Sequence, residues 1–324
     1  VSVLVTDGID AGAVWHYGDP MREQRRLEEG TALVDLSHRD VITVTGPDRL
    51  AWLHSLTTQH LESLWPWVGT TTLVLDPQGH LEHALYGVDD GTTFWAHTEP
   101  GAGAAAAAWL DRMRFMMQVE VADRSAEFGL VWAPEALALP ESGVIAKRTG
   151  ADSLGGRELF LPRDAVAGLL EGRELAGTWA YEARRIGAGV PRLGPDTDER
   201  AIPNELGLLG VAVHLDKGCY RGQETVARIH TLGRPPRRLV LLHLDGSVDA
   251  LPEPGAPLQA GGRVVGFAGS SARHYELGPI ALGLVKRNVP TDAELTVGGE
   301  VEIAAAQEVL VDPEVGLHVR ARLR

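Results

Sequence analysis

Residues 217–230 read KGCYRGQETVARIH. The stretch holds Cys219, the one cysteine in 324 residues, set between Gly218 and Gly222 and flanked by Lys217 and Arg221. From Gln223 onward, QETVARIHTL has helical spacing, with Val226 and Ile229 on one face. Cys219 then stands just ahead of a helix N-terminus, where unpaired amides and the macrodipole favour an anion. Lys217, Arg221 and Arg228 add positive charge, and such a setting favours a thiolate that acts as nucleophile or metal ligand. Gly218 and Gly222 would let the backbone adopt positive φ and let another molecule approach closely. The competing reading is a small thiol buried in a turn, as most free cysteines are. Chemistry alone leaves the two even. His214 and His230 flank the thiol in sequence, but nothing pairs either with it.

Outward from this stretch, the pattern is mixed. DPMREQRRLEEG reads as a helix capped by Asp19, with Pro20 in its first turn and Gly30 at its end. TALVDLS follows as a strand. VITVTG, PDRLAWLHSL and TTTLVLD then read strand, helix, strand. After the DPQG turn (76–79), HLEHALYGV and TTFWAHT form a hairpin across DDG. AGAAAAAWLDRMRF is a helix and QVEVAD a strand. Residues 41–122 therefore suit a split βαβ sheet with both helices on one face. FGLVWAP and RELFLP are strands; AVAGLLEG and TWAYEARRI are helices. From about residue 237, RRLVLLHLDG, APLQAGGRVVGFAGSS, PIALGLVKR, AELTVGGEVEIAA and LHVRARL are short strands broken by Gly, Pro and Asp, as in a small antiparallel barrel. Pro235 and Pro236 mark the boundary before it.

The length exceeds what one core usually organises, so two or three domains are expected. No apolar run reaches the roughly 18 residues of a membrane span, and no signal peptide is visible at VSVLVTDGID, so the chain reads as cytoplasmic. A formal net charge of -14 repels phosphate backbones and disfavours direct nucleic-acid binding. One cysteine cannot by itself hold an iron–sulfur cluster, which takes about four thiolates. His80 and His83 in HLEH would face opposite sides of a strand, so no metal site is assigned.

KGCYRGQE resembles the signature of the YgfZ family, folate-binding relatives of the glycine-cleavage aminomethyltransferase (T-protein): Lys217, Gly218, Cys219, Tyr220, Gly222, Gln223 and Glu224 stand at its positions. VDLSHRDVITVTGPDRLAWLHSLTTQHL, RRIGAGVPRLGPDTDERAIPNELGLL and VGFAGSSARHYELGPIALGLVKR resemble further blocks of that family. The resemblance implies an α+β, T-protein-like fold of three domains around a central hole, with split βαβ (ferredoxin-like) domains and a C-terminal antiparallel β-barrel. It places a discontinuous folate-binding domain at 1–45 with 123–236, an inserted domain at 46–122 and the barrel at 237–324. It implies a bound tetrahydrofolate or related reduced folate. It also implies a role in assembling or repairing iron–sulfur clusters of client enzymes, among them tRNA-modifying ones, with any cluster only transiently met.

On that resemblance Cys219 is the functional thiol, with Lys217 and Tyr220 beside it. Glu205, Arg185, Gly218, Gly222, Gln223 and Glu224 are the folate-side candidates. Glu205 would bind the pterin's donors, its alternative being a solvated loop acid; Arg185 would face the folate tail or lie on a helix surface. Tyr220, Trp15 and Trp52 could stack on a pterin or fill core. T-protein relatives that transfer a methylene group carry a carboxylate shortly after a turn like DPQG; here His83 takes that place, with Glu82 beside it. Gly187 stands where they carry a pteridine-contacting glutamate. Without those acids a transfer mechanism loses its electrostatic partners. The alternatives kept are a tetrahydrofolate-dependent aminomethyltransferase or demethylase, and a folate-binding module without chemistry.

Overall fold

The computed structural model describes residues 2–140, 142–299 and 301–318. The chain divides into two compact units, 1–74 with 83–182, and 75–82 with 183–324.

In the first unit, Asp19 caps the Pro20–Glu28 helix, its side chain accepting from the Arg22 amide at 2.9 Å. One five-stranded sheet runs in the order Gly69–Leu75, Leu81–Asp89, Thr93–Thr98, Asp40–Thr45, Glu120–Asp123. Asp40–Thr45 is antiparallel to both of its neighbours. Trp52 and Leu53 of helix Arg49–Leu56 and Ala106, Trp109 and Leu110 of helix Gly103–Arg112 share one core with Ile42, Val44, Val74, Leu85, Phe94 and Ala96. Both helices thus cover one face of the sheet, as the sequence pattern required. A second sheet, ordered Ala146–Arg148, Gly156–Pro162, Phe128–Pro134, Leu33–Asp35, Leu175–Ala176, is covered by Val166 and Leu169 of helix Arg163–Leu170.

In the second unit six strands close a barrel in the order Arg237–Leu244, Gly278–Lys286, Arg263–His274, Pro257–Ala260, Leu295–Val297, Ile303–Val309. Residues 239–242 within RRLVLLHL are continuously apolar because both faces of this strand are buried. Val240, Leu242 and Leu244 join the cluster that also holds Leu258, Ala281 and Val285. The alternate residues Leu239 and Leu241 pack outward on Ala183, Ile186 and Leu206. The strand expected over residues 317–323 lies, from 319 on, outside the described residues. Among the described residues no helix is long and apolar enough to cross a membrane.

Candidate functional site

The signature sequence forms a loop that leads into the Gln223–Leu232 helix. Its start is fixed by Gly222, whose φ of +81° is open to glycine and costly for any residue with a Cβ. A Cβ there would also lie 2.5 Å from the carbonyl oxygen of Asp76 and 2.9 Å from Cα of Gly79. Gly79, at φ +90°, returns the fit: its Cβ would meet Cβ of Thr225 at 2.9 Å. The DPQG turn and the helix start are therefore packed backbone to backbone. Asp76 shapes that turn, its Oδ1 accepting from the amides of Gln78 and His80 at 2.8 Å each and its Oδ2 lying 2.9 Å from His80 Nδ1.

An ion pair adds to this fit. Arg221 donates from Nη1 to Glu82 Oε2 at 2.7 Å and from Nη2 to Oε1 at 3.3 Å. This corrects the expectation that Arg221 lends its charge to the thiol, since that charge is committed to Glu82. Gly218 is the second correction. It does not lie at positive φ, and the space where its Cβ would stand is open. Here glycine leaves room instead of solving a backbone problem. Arg228 is exposed on the helix.

Around that opening the signature residues sort by burial. Cys219 is exposed. Lys217 and Tyr220 are only 6% and 9% exposed, with Lys217 Nζ 5.0 Å from the Tyr220 ring centroid, within cation–π range. Burial pushes the Lys217 ammonium down to about 8 and the Tyr220 phenol up to about 12. Gln223 and Glu224 occupy the first helical turn, where Glu224 is exposed and its charge suits the helix dipole.

The IPNELGL segment lies against the same helix. Glu205 is 1% exposed in the Pro203–Glu205 turn of 3-10 helix, not a solvated loop acid. Arg237 grips both of its oxygens, Nε to Oε1 at 2.9 Å and Nη2 to Oε2 at 2.8 Å, while also holding Asp198 from Nη1 at 2.6 Å. Asn204, 2% exposed, donates from Nδ2 to the Val226 carbonyl at 3.2 Å. That bond fixes the orientation of the amide and leaves Oδ1 buried with no protein hydrogen-bond partner among the described residues. A buried acceptor of this kind is costly unless something donates to it. Asn204 is the site residue that sequence reasoning missed. No spacing rule marks one asparagine of a loop as orphaned.

Arg185 lies elsewhere in the unit. It is 2% exposed, so it does not sit on a helix surface; it donates to Asp196 Oδ2 at 2.9 Å and to the Val190 carbonyl at 2.6 Å. Asp196 Oδ1 in turn accepts from the Ser270 amide at 2.6 Å, and a Cβ on Gly269 would stand 2.3 Å from that oxygen. Arg185 therefore holds the helix end Ala183–Gly187 to the barrel strand Arg263–His274. A Cβ at Gly187 would face the His274 ring at 3.3 Å. Of the aromatic candidates, Trp52 is core, its Nε1 donating to the Met113 carbonyl, and Trp15 stacks on Trp179 at 4.7 Å.

No family model matches the chain. It is 27% identical to the chloroplastic protein At1g60990 of Arabidopsis thaliana, provisionally named a transferase, over 85% of this chain and 69% of that one. It is equally 27% identical to the aminomethyltransferase of Symbiobacterium thermophilum, over 89% of this chain and 85% of that one. The crystal structure of the glycine cleavage system aminomethyltransferase T from Bartonella henselae superposes with a TM-score of 0.78 at 19% identity, covering 96% of this chain and 94% of that one. In fold, and in sequence along most of its length, the chain is similar to aminomethyltransferases.

Proposed function

We propose that this chain binds a reduced folate and serves iron–sulfur cluster assembly or repair through Cys219, rather than transferring aminomethyl groups. The observation that carries the reading is the fate of the acids a transfer would use. Glu82, the carboxylate nearest the expected position, is held by Arg221; His83 follows it, and Gly187 offers no side chain at all. A carboxylate paired with a guanidinium is a weak electrostatic partner for a developing cation, because its field is already answered. The thiol, by contrast, is presented to solvent beside a helix start.

A folate suits the residues present. The buried Asn204 Oδ1 is an acceptor in want of a donor, and a pterin edge is rich in N–H donors. Glu205 stands next to it, oriented by Arg237. When bound, the folate would supply the carrier for a one-carbon unit. Cys219 could contribute one thiolate to a cluster in transit, so the cluster is cargo shared with client enzymes or assembly proteins. The three-part division at 1–45 with 123–236, 46–122 and 237–324 belongs to this reading.

Anaerobic titration with tetrahydrofolate tests it. Wild type and Cys219→Ala should bind alike, and Asn204→Leu should bind at least about 10-fold more weakly, the scale of one lost buried hydrogen bond. Cells carrying Cys219→Ala should lose activity of cluster-dependent enzymes. No heat from wild type removes the folate half; unchanged cluster-enzyme activity removes the thiol half and leaves a folate-binding module. A second reading, a tetrahydrofolate-dependent aminomethyltransferase or demethylase, rests on the similarity to aminomethyltransferases over most of the chain. It requires turnover of an amine donor that is lost on Glu82→Gln or His83→Ala.

A further inference from the structure

The chain carries 30 basic side chains, yet lysine stands at only three positions, Lys147, Lys217 and Lys286. Arginine serves everywhere else, including every buried cation described above. Lys147 and Lys286 are exposed, whereas Lys217 is 6% exposed in the signature loop. The two cations differ in one decisive respect. A guanidinium keeps its proton under all ordinary conditions, while a desolvated ammonium gives its proton up and becomes a nucleophile. A buried lysine in a chain that otherwise buries arginine marks a place where the neutral amine is of use.

The surroundings fit that use. Nζ sits over the Tyr220 ring at 5.0 Å, so a cation formed on the nitrogen keeps a stabilising face. Beside it, Gly218 leaves open space where any other residue would project a side chain. That open space gives a small electrophile a way in.

We propose that Lys217 is an amine nucleophile that captures a small aldehyde as a reversible imine. The idea rests on the folate reading above for its biological source, a one-carbon unit at the aldehyde oxidation level, but not for its chemistry. The Nζ lone pair attacks the carbonyl carbon and a proton moves from nitrogen to oxygen, giving a carbinolamine. Loss of water then leaves a carbon–nitrogen double bond, protonated as an iminium over the Tyr220 ring. Amine and aldehyde become imine and water, with no oxidant or reductant consumed. Burial supports this step, since it holds the Lys217 ammonium to about 8, so a sizeable neutral fraction exists near neutral pH.

The probe is formaldehyde, with cyanoborohydride added to reduce any imine to a stable methylamine, followed by mass mapping of the peptides. The full-length protein contains its own controls in Lys147 and Lys286. At pH 7.5 the neutral fraction at Lys217 exceeds that of an ordinary lysine by about 10²-fold, and labelling should favour it at least about 10-fold. Its rate should level off above pH about 8 while the two exposed lysines keep accelerating. Cys219→Ala should label identically, which separates capture by the amine from capture by the thiol. Labelling of Lys217 no faster than the controls, or with their pH profile, overturns the proposal. The folate titration reads independently. Selective labelling in a protein that gives no heat with tetrahydrofolate keeps the imine and removes the folate reading, whereas folate binding with an inert Lys217 does the reverse.

Discussion

At the scale of the residue, Lys217 links the site to stability. Its folded value of about 8 lies below the 10.5 of an exposed amine, because burial penalises the charged form. A depressed value of this kind contributes stability that is fully present above about pH 10.5 and is lost as pH falls through 8. Between pH 8 and 10 the protein should therefore gain stability as the amine empties. The opposing effect of Tyr220, raised to about 12, begins only where an unfolded tyrosine ionises, near 10. Lys217→Met removes the linkage and keeps the apolar stem. Urea unfolding at pH 7.5 and 9.5 should show wild type gaining on the variant at the higher pH. A constant difference between them would mean that the amine is solvated in the folded protein.

At the scale of the element, the Gln223–Leu232 helix was legible almost to its ends, because a glycine on each side and an apolar face at helical spacing are local signals. The barrel strands and the two helices on one face of the first sheet were legible for the same reason. What holds the helix in place was not. Arg221 meets Glu82 across 139 residues of sequence, and Gly222 meets Asp76 across a similar gap, so no window of the sequence contains both partners. The signature glycines looked alike in sequence and turned out to differ: Gly222 is required by its φ and by the turn it touches, Gly218 by the space it leaves. Alanine should separate them. Gly222→Ala pays roughly 1–2 kcal/mol for the left-handed backbone alone, and the collision with Asp76 adds to that, so a fall in Tm of several degrees is expected. Gly218→Ala should leave Tm within about a degree, since surface changes of this kind usually stay within ±0.5 kcal/mol. Equal losses would show that Gly218 too is a backbone requirement.

At the scale of the whole molecule, two opposed charge effects set how stability varies with pH. The net charge of -14 is an excess of like charges, and their repulsion eases as acid brings the net charge toward neutrality. Against this stand carboxyls that the fold itself keeps ionised. Burial pushes Asp198 up, but the hydrogen bonds and charge of Arg237 outweigh it and hold it below the ordinary carboxylate value. In Asp76 and Asp90 burial is likewise overcome, by hydrogen bonds from His80 and from Thr93 and Trp95. Groups held low in this way contribute stability that is present above the unfolded value and lost as pH falls through the folded one. Stability should then rise from pH 7 toward about 5, where repulsion eases and these carboxyls are still ionised, and fall below about 4 as they protonate. Salt separates the two limbs. Long-range repulsion is screened beyond a Debye length of about 8 Å at physiological ionic strength, whereas the Arg237 contacts at 2.6–2.9 Å are not. Thermal scans from pH 3 to 8 in about 0.02 M and 0.5 M salt should show the rise from 7 to 5 flattening at high salt while the acid fall persists. A Tm that declines steadily from pH 7 at low salt would mean that the paired acids, not the net charge, govern the neutral range as well.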